Sequence, residues 1–528
     1  MSKKNLTIFN ETYTGVAGFK VKDTSNNEIT YKNDINEAWQ DEDGYVILDR
    51  DGDVGNINST EFWKRPDEWM PYAKGWNDDG ADNCYFVYDL INNKEDLKFP
   101  EFYAIYARTS SGQYVVECGY VDKNGNFTVE ETYTKNSATR TGNFLPVWDG
   151  ITPNERYYVV RVSPSSGNHL QFVGFTYLEN SVWQTKFSGA SITNGGYQAF
   201  YQPCIEIYGR LPYYTSCNYE NKFRNVPLIH INLIDMISLT NMSSMFEGNF
   251  NLKRIDGMKT WDTSLVTAMD YTFYDTGYIN LDDIKNWDVK KVTIFSYMLS
   301  YTRALVLDLG NWEASSVSNI AFMFRGCKAK KIVLPKYLTG NESQTDLFRE
   351  CYELNEIDFN GSKIRLNSYT FNSCTNLNLD TSSSSIITST TTSKTTNMNN
   401  EFISNRSIRT IDMRNKDTSA VTTMTDFANG CYSLQSVNFT GCDLSAITNT
   451  NANLFSTCPS LIELKGFVHY QSFAIAQSTL MPAENLVEVL TNLPTVSSAK
   501  TITLGTTNKN KLIAEQIAIA TEKGWTVA

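Results

Sequence analysis

The sequence predicts a multidomain, β-rich chain, with all-β modules in its N-terminal half, a β-solenoid after them and a small α/β cap at its C-terminus. Three observations predict this. A Trp-Asp phrase recurs at spacings of 26 and 25 residues from Trp261 onward. Short apolar runs bounded by Gly, Asn and Pro recur through the first half of the chain. A helical period appears only after Pro482. The chain accordingly divides into 1–60, 61–237, 238–470 and 471–528.

Size and charge bound what the chain does. Its 528 residues exceed one ordinary core. Hydrophobic residues at 41% and aromatics at 13% are enough to build cores throughout. A net charge of −12 repels phosphate backbones and anionic lipid, which argues against nucleic acid and membrane surfaces as partners. No run approaches the ~18 apolar residues of a membrane span. The opening Met1-Ser2-Lys3-Lys4-Asn5-Leu6-Thr7 leads into no apolar segment, so folding in a cytoplasm is expected.

The first 60 residues hold two β-like runs, Gly15–Lys22 and Tyr45–Leu48, and predict a small β module at an attachment end. From Phe62 a second unit begins, with strand-like runs at Cys84–Tyr88, Phe102–Ala107 and Tyr114–Tyr120. Lys123-Asn124-Gly125-Asn126 is a hairpin signal, and Tyr157–Pro164 is the clearest strand of the region. Strands at this spacing predict an antiparallel sandwich. Residues 171–237 read as further β structure leading into the first coil.

The solenoid is read from its columns. Trp261-Asp262-Thr263-Ser264, Trp287-Asp288-Val289-Lys290 and Trp312-Glu313-Ala314-Ser315 recur in register, and Asp417-Thr418-Ser419 is a weaker copy. An apolar position follows in each copy: Phe246, Phe273, Leu299, Phe324, Phe348, Phe371, Phe402, Ala428 and Phe455. Three residues later comes a small residue: Asn249, Thr276, Thr302, Cys327, Cys351, Cys374, Asn405, Cys431 and Cys458. A unit of about 25 residues cannot bury its own apolar face, so stacking of about nine coils is expected, with the Phe positions forming one column. The small residues then form an interior ladder that satisfies backbone groups at the turn. Phrases such as Ile357-Asp358-Phe359 and Val437-Asn438-Phe439 alternate as half-buried strands do. The one long interval, 31 residues, contains the Ser/Thr tract Thr381–Thr396 and marks an inserted loop.

After Pro482 the pattern predicts a helix over Ala483–Asn492, a strand over Thr501–Gly505, and a helix capped by Asn508 that runs to about Lys523 before Gly524. This tail would cover the last apolar coil.

The Trp-Asp-Thr-Ser-x-Val-Thr-x-Met phrase with its following Phe-x-x-Cys resembles BspA-type leucine-rich repeats, which occur in bacterial and mycoplasma surface proteins and in bacteriophage tail proteins. The resemblance implies a leucine-rich-repeat-like β-solenoid and a binding role without fixing a ligand. The Arg65-Pro66 opening with Trp69, the Tyr114–Gly119 strand and the Val160–Pro164 strand resemble an immunoglobulin-like module found before such repeats in phage tail proteins. The match is partial, because Cys118-Gly119-Tyr120-Val121 stands where that family carries a Trp-Gly-Asp-Gly turn. The phrase Thr501–Asn508 with Ile519–Thr526 is similar to C-termini of phage tail and fibre proteins. Together these resemblances imply a phage virion structural protein: a tail fibre or other host-contacting appendage, or equally a capsid-bound head fibre. Its expected partners are other virion proteins, a host cell-surface protein or glycan, and further copies of itself, with a trimer as the common case. A bacterial surface adhesin is the alternative, and a glycan-degrading enzyme a third reading.

No residue stands out as catalytic, metal-binding or cofactor-binding. Asp49-Arg50-Asp51-Gly52-Asp53 invites a calcium reading, but Val54 and Thr60 stand where such a loop wants Gly and Glu, so a solvated acidic turn is the simpler account. Asn77-Asp78-Asp79-Gly80 is most simply a turn. The three histidines, His169, His230 and His469, fall in different modules, and the last two read as structural. Paired carboxylates for glycoside cleavage have no local motif. None of the ten cysteines is in a CxxC pair, and the five on the ladder read as buried thiols. Trp261, Trp287 and Trp312 could stack on sugars but, recurring in register, are expected to pack coil on coil. The outer face, where a ligand would bind, stays unassigned.

Overall fold

The computed structural model describes residues 69–78, 83–88, 104–109, 113–136, 157–164, 170–179, 182–185, 204–210, 217–218, 223–224, 228–449 apart from 278 and 280, and 453–528, together with four short strands between residues 4 and 30. Two compact units are present, Met1–Glu68 and Trp69–Ala528. In the first, Lys4–Ile8 pairs antiparallel with Glu11–Gly15, and Lys20–Lys22 with Glu28–Thr30.

In the second unit a seven-stranded sheet joins two kinds of pairing. Cys84–Tyr88, Gln113–Val121, Phe127–Asn136 and Tyr158–Pro164 pair antiparallel. Cys204–Gly209 then pairs antiparallel with Cys84–Tyr88 on one side and parallel with His230–Leu233 on the other, and His230–Leu233 continues in parallel to Arg254–Asp256. Strand Cys84–Tyr88 is buried along its whole length. Its alternation sends Cys84, Phe86 and Tyr88 into the long core of the solenoid, and Tyr85 and Val87 against Met70, Ala73 and Tyr208. This sheet runs from antiparallel strands into the first parallel strands without a break. Ala104–Thr109, Leu170–Glu179 and Val182–Thr185 form a separate antiparallel sheet.

The solenoid proper stacks short parallel strands: Val306–Asp308, Lys331–Val333 and Glu356–Asp358 form one run, and Thr410–Asp412, Ser436–Asn438 and Glu463–Lys465 another. The chain makes about twelve turns rather than nine. Additional turns lie at the two ends: Phe223 stacks on Phe246 at 5.6 Å and carries the column one coil further back, and the strands Phe473–Ala474, Lys500–Thr503 and Trp525–Val527 extend the stack forward. The chain is thus mostly β, with a leucine-rich-repeat-like solenoid as its main body.

The repeated phrase has a physical explanation at each position. The Trp rings are buried, and each indole N–H donates to a carbonyl of the preceding coil: Trp261 to Leu233 at 2.7 Å, Trp287 to Met258 at 3.1 Å and Trp312 to Ile284 at 2.7 Å. The next residue, Asp262, Asp288 or Asp417, accepts from the backbone N–H two positions on, closing the corner. The Thr that follows is buried and donates forward, Thr263 to the Asp288 carbonyl and Thr418 to the Asp443 carbonyl. Later in the phrase Thr267, Thr293, Ser318 and Thr422 donate their hydroxyls back to the preceding coil.

The apolar column is fully buried from Phe246 to Phe455. Phe324, Phe348, Phe371 and Phe402 stack nearly parallel at 5.4, 5.5 and 5.9 Å. The ladder beside it satisfies carbonyls of the previous coil. Asn249 donates to Phe223, and the thiols of Cys351, Cys374, Cys431 and Cys458 donate to Phe324, Phe348, Phe402 and Ala428. Burial pushes the thiols of Cys351, Cys431 and Cys458 up, Cys458 to about 12, so these three are poor nucleophiles.

At the C-terminus the helix Ala483–Asn492 falls where its period placed it. The second helix does not. The chain forms two short helices, Gly505–Lys509 and Ala514–Thr521, because Ile513 is extended and starts a new helix. Asn508 is no cap: it is buried within the first of these, and its amide donates to the carbonyls of Ile475 and Ser478. Strands Phe473–Ala474, Lys500–Thr503 and Trp525–Val527 pair in parallel, so the tail continues the stacking with helices on the return path. Among the described residues no helix is long and apolar enough to cross a membrane.

Candidate binding face

In the eight coils from Phe246 to Ala428 the turn around the buried column residue alternates in backbone hand. The residue two before the Phe and the residue two after it both have positive φ. The earlier position is held by Ser244, Tyr271, Tyr297, Phe322, Asp346, Tyr369, Asn400 and Asp426, the later by Gly248, Asp275, Tyr301, Gly326, Glu350, Ser373, Ser404 and Gly430. The alternation aims three backbone N–H groups of one coil at three carbonyls of the next. Tyr271 donates to Ser296, Phe273 to Met298 and Asp275 to Ser300; Phe322 donates to Thr345, Phe324 to Leu347 and Gly326 to Arg349.

This backbone favours Gly, Asn, Asp and Ser, and the coils from Asn400 onward use them. Earlier coils place bulky aromatics there at a cost of about 1–2 kcal/mol per residue. Tyr271 stacks on Tyr297 at 4.6 Å, and Tyr297 on Phe322 at 4.4 Å. Tyr274 meets Tyr297 and Tyr301 edge-on. All five rings are half-buried, so they lie at the solvent boundary.

Beside them is a charged network. The Tyr301 hydroxyl donates to Glu350 at 2.9 Å, Arg325 pairs with the same carboxylate at 3.2 Å, and Arg349 reaches Asp346 at 2.9 Å while lying over the Tyr369 ring. Burial would raise the Glu350 carboxyl, but Arg325 and Tyr301 hold it below its usual range. Burial pushes the Tyr271 and Tyr301 hydroxyls up to about 12, aided at Tyr301 by Glu350. Both phenols therefore remain donors at any physiological pH. Stacked rings cover one another's faces, so this surface offers ring edges, hydroxyls, guanidinium groups and carboxylates.

A second cluster lies at the start of the solenoid. His230 is buried between Glu206, 2.7 Å from Nδ1, and Asp256, 2.9 Å from Nε2, on three neighbouring strands. Burial opposes the charged ring, but the two carboxylates outweigh it and raise the pKa. Both ring nitrogens donate when the ring is charged, so the ring joins three neighbouring strands. Its signal was present in the sequence as Glu206, His230 and Asp256, 24 and 26 residues apart, about one coil each.

The remaining expectations sort simply. Trp261, Trp287 and Trp312 pack coil on coil. His469 is buried and neutral, with burial lowering its pKa to about 4. Asn77 and Asp78 sit at the end of a turn. Asp49–Asp53, His169 and Asp79-Gly80 lie outside the described residues. Among the described residues no group of three or more His, Cys, Asp or Glu is placed to hold a metal ion. The aromatic register was missed because backbone hand leaves no hydrophobic period; the usable signal was one column mixing Ser, Asp and Asn with Tyr and Phe.

Comparison with known proteins matches part of the chain. The family described as "Mycoplasma protein of unknown function, DUF285" matches residues 217–337 and 368–468. A solved leucine-rich repeat protein from Bacteroides ovatus is similar at 13% identity, over 55% of this chain and 87% of that one, with a TM-score of 0.28. No curated protein matches in sequence.

Proposed function

We propose that this repeat protein is a binding module whose solenoid presents the Tyr271–Tyr369 face to a cell-surface receptor, protein or glycan. One observation carries the reading: bulky aromatics occupy left-handed positions that the same fold fills elsewhere with Ser, Asn, Asp and Gly. Strain that the fold does not need is strain retained for a surface. Tyrosine and arginine are also the residues that dominate binding hot spots, and rings already stacked lose little freedom on contact.

We place the chain in a phage virion, as a tail fibre or other host-contacting appendage, with a head fibre as the sister reading. The sequence resemblances of the repeat and of the C-terminal phrase support this. The β-rich N-terminal half, read as immunoglobulin-like, would attach it to other virion proteins, and copies would assemble as a homo-oligomer. The chain is read as non-catalytic. A bacterial surface adhesin with BspA-like repeats is the second reading, resting on the same repeat resemblance.

Two measurements test the proposal. Mass spectrometry of purified virions from the encoding phage should detect the chain, and its absence there sinks the virion placement. The full chain should adhere to intact host cells and lose adhesion on Tyr271→Ser with Tyr297→Ser; unchanged adhesion by the folded variant removes this face as the binding site.

A further inference from the structure

A second row of side chains runs along the solenoid immediately after the small-residue ladder. In coil order it reads Phe250, Gly277, Arg303, Lys328, Tyr352, Thr375, Arg406, Tyr432 and Pro459. The row contains no acid, although the chain has 58 acids against 46 bases. Its rings are among the most exposed large side chains described, with Tyr352 at 47% and Tyr432 at 50%. A cation from the preceding coil lies over each: Lys328 over Tyr352 at 6.0 Å and Arg406 over Tyr432 at 5.8 Å. Basic and aromatic groups thus recur in the same pairing at two places on one line.

The neighbouring register, just before each strand, adds Lys253, Lys330 and Arg409 and again no acid. The nearby carboxylate Glu353 lies 3.4 Å from Lys328, a pair exposed enough to be exchanged at little cost. Arg409 lines a polar groove with Asn378, Asp380, Thr381, Thr410 and Asp412, which offers the hydroxyl, amide and carboxylate partners that uncharged sugar hydroxyls use. Coils rise by about 4.8 Å, so the row from Arg303 to Tyr432 covers roughly 24 Å along the stack.

We infer that this row binds an acidic polysaccharide laid along the solenoid axis, its anionic groups on Lys328 and Arg406 and its sugar rings against the exposed faces of Tyr352 and Tyr432. The acidity of the whole chain does not forbid it. Exposed charges farther off than a Debye length of about 8 Å are largely screened at physiological salt, so the local row decides. The row occupies a different register from the Tyr271–Tyr369 face and does not depend on it.

The test uses the full chain with polygalacturonate and dextran sulfate as probes, neutral dextran as control, and polyphosphate and a single-stranded oligonucleotide as competing polyanions. Both acidic polysaccharides should bind at about 0.05 M salt and weaken at 0.15 M, and dextran should not bind. K328Q/R406Q should weaken binding by about tenfold. Y352S/Y432S should weaken polysaccharide binding while leaving polyphosphate binding unchanged, which separates ring contact from ion exchange. All four positions are at the surface, and an unchanged melting temperature confirms folded variants. Failure of both acidic polysaccharides to bind at low salt overturns the inference, as does wild-type affinity in K328Q/R406Q. Tighter binding of the oligonucleotide than of either polysaccharide overturns the saccharide assignment. None of these results bears on adhesion through the tyrosine face, which has its own variant.

Discussion

The hydroxyl of Tyr301 reaches Glu350 two coils further on by laying its ring over the bare backbone of Gly326. A Cβ at Gly326 would stand 2.4 Å from the ring, and the residue has φ +66°. Gly326→Ala should therefore destabilise the protein by about 1–3 kcal/mol. Tyr301→Phe, which keeps the ring and loses one hydrogen bond to a charged group, should cost about 1–2 kcal/mol. Chemical denaturation of both variants checks the order; equal stability of Gly326→Ala and wild type would mean that the ring does not lie there.

Glu401 is fully buried, and neither carboxylate oxygen has a hydrogen bond of normal geometry, although Thr370 and the Ser368 backbone lie near enough to offset part of the burial. Burial raises its pKa to about 8. A carboxyl whose folded pKa exceeds its unfolded value contributes most at low pH and loses that contribution as pH rises from about 4.3 toward 8. Glu401→Gln should accordingly stabilise the protein at pH 7.5, by about 1–3 kcal/mol, and much less at pH 4.5. Melting temperatures at the two pH values decide it, and destabilisation at pH 7.5 would show the carboxylate to be satisfied.

His230 has the opposite sign of charge and a raised pKa. Its contribution is complete below the unfolded value of about 6.5 and is lost as pH rises through the folded pKa. His230→Gln should remove that dependence and destabilise the junction with Cys204–Gly209. Hydrogen exchange of that strand, compared between variant and parent across pH 6 to 9, is the measurement; identical protection in both would remove His230 from the joint.

The ladder thiols should be chemically silent. Cys327, Cys351, Cys374, Cys431 and Cys458 are buried, so a thiol reagent should react with them only on unfolding. Because Thr276 and Thr302 hold the same register and share a hydrogen bond at 3.1 Å, Cys351→Thr should cost less than Cys351→Leu, which would overpack the column by about 1–3 kcal/mol. Rapid labelling of these positions in the native protein would contradict their placement.

Recurrence explains what was legible. Phe324, Cys327 and Trp312 announce their roles because each has counterparts one coil away, and Ala483–Asn492 carries its own helical period. The first coil, Cys204–Gly209, has neither landmark and pairs both antiparallel and parallel, so its place in the sheet follows from tertiary contacts alone. Ile513 splits the expected last helix because its extended backbone lets Gln516 cap a new start. The aromatic face was hidden for a different reason: Tyr271, Tyr297 and Phe322 look like ordinary apolar residues until their backbone hand is known.

The three forward N–H bonds that tie each coil from Phe246 to Phe402 to the next come entirely from the main chain. The side chains at the left-handed position two before the Phe take no part in those bonds, and that column accepts Tyr, Phe, Asp, Asn and Ser. Such a column behaves like a row of type slots: what is printed on the surface changes by exchanging one letter per coil, while the frame holding the letters stays locked. Variation under pressure from a changing receptor would collect in those slots and leave Phe, Cys and Trp untouched.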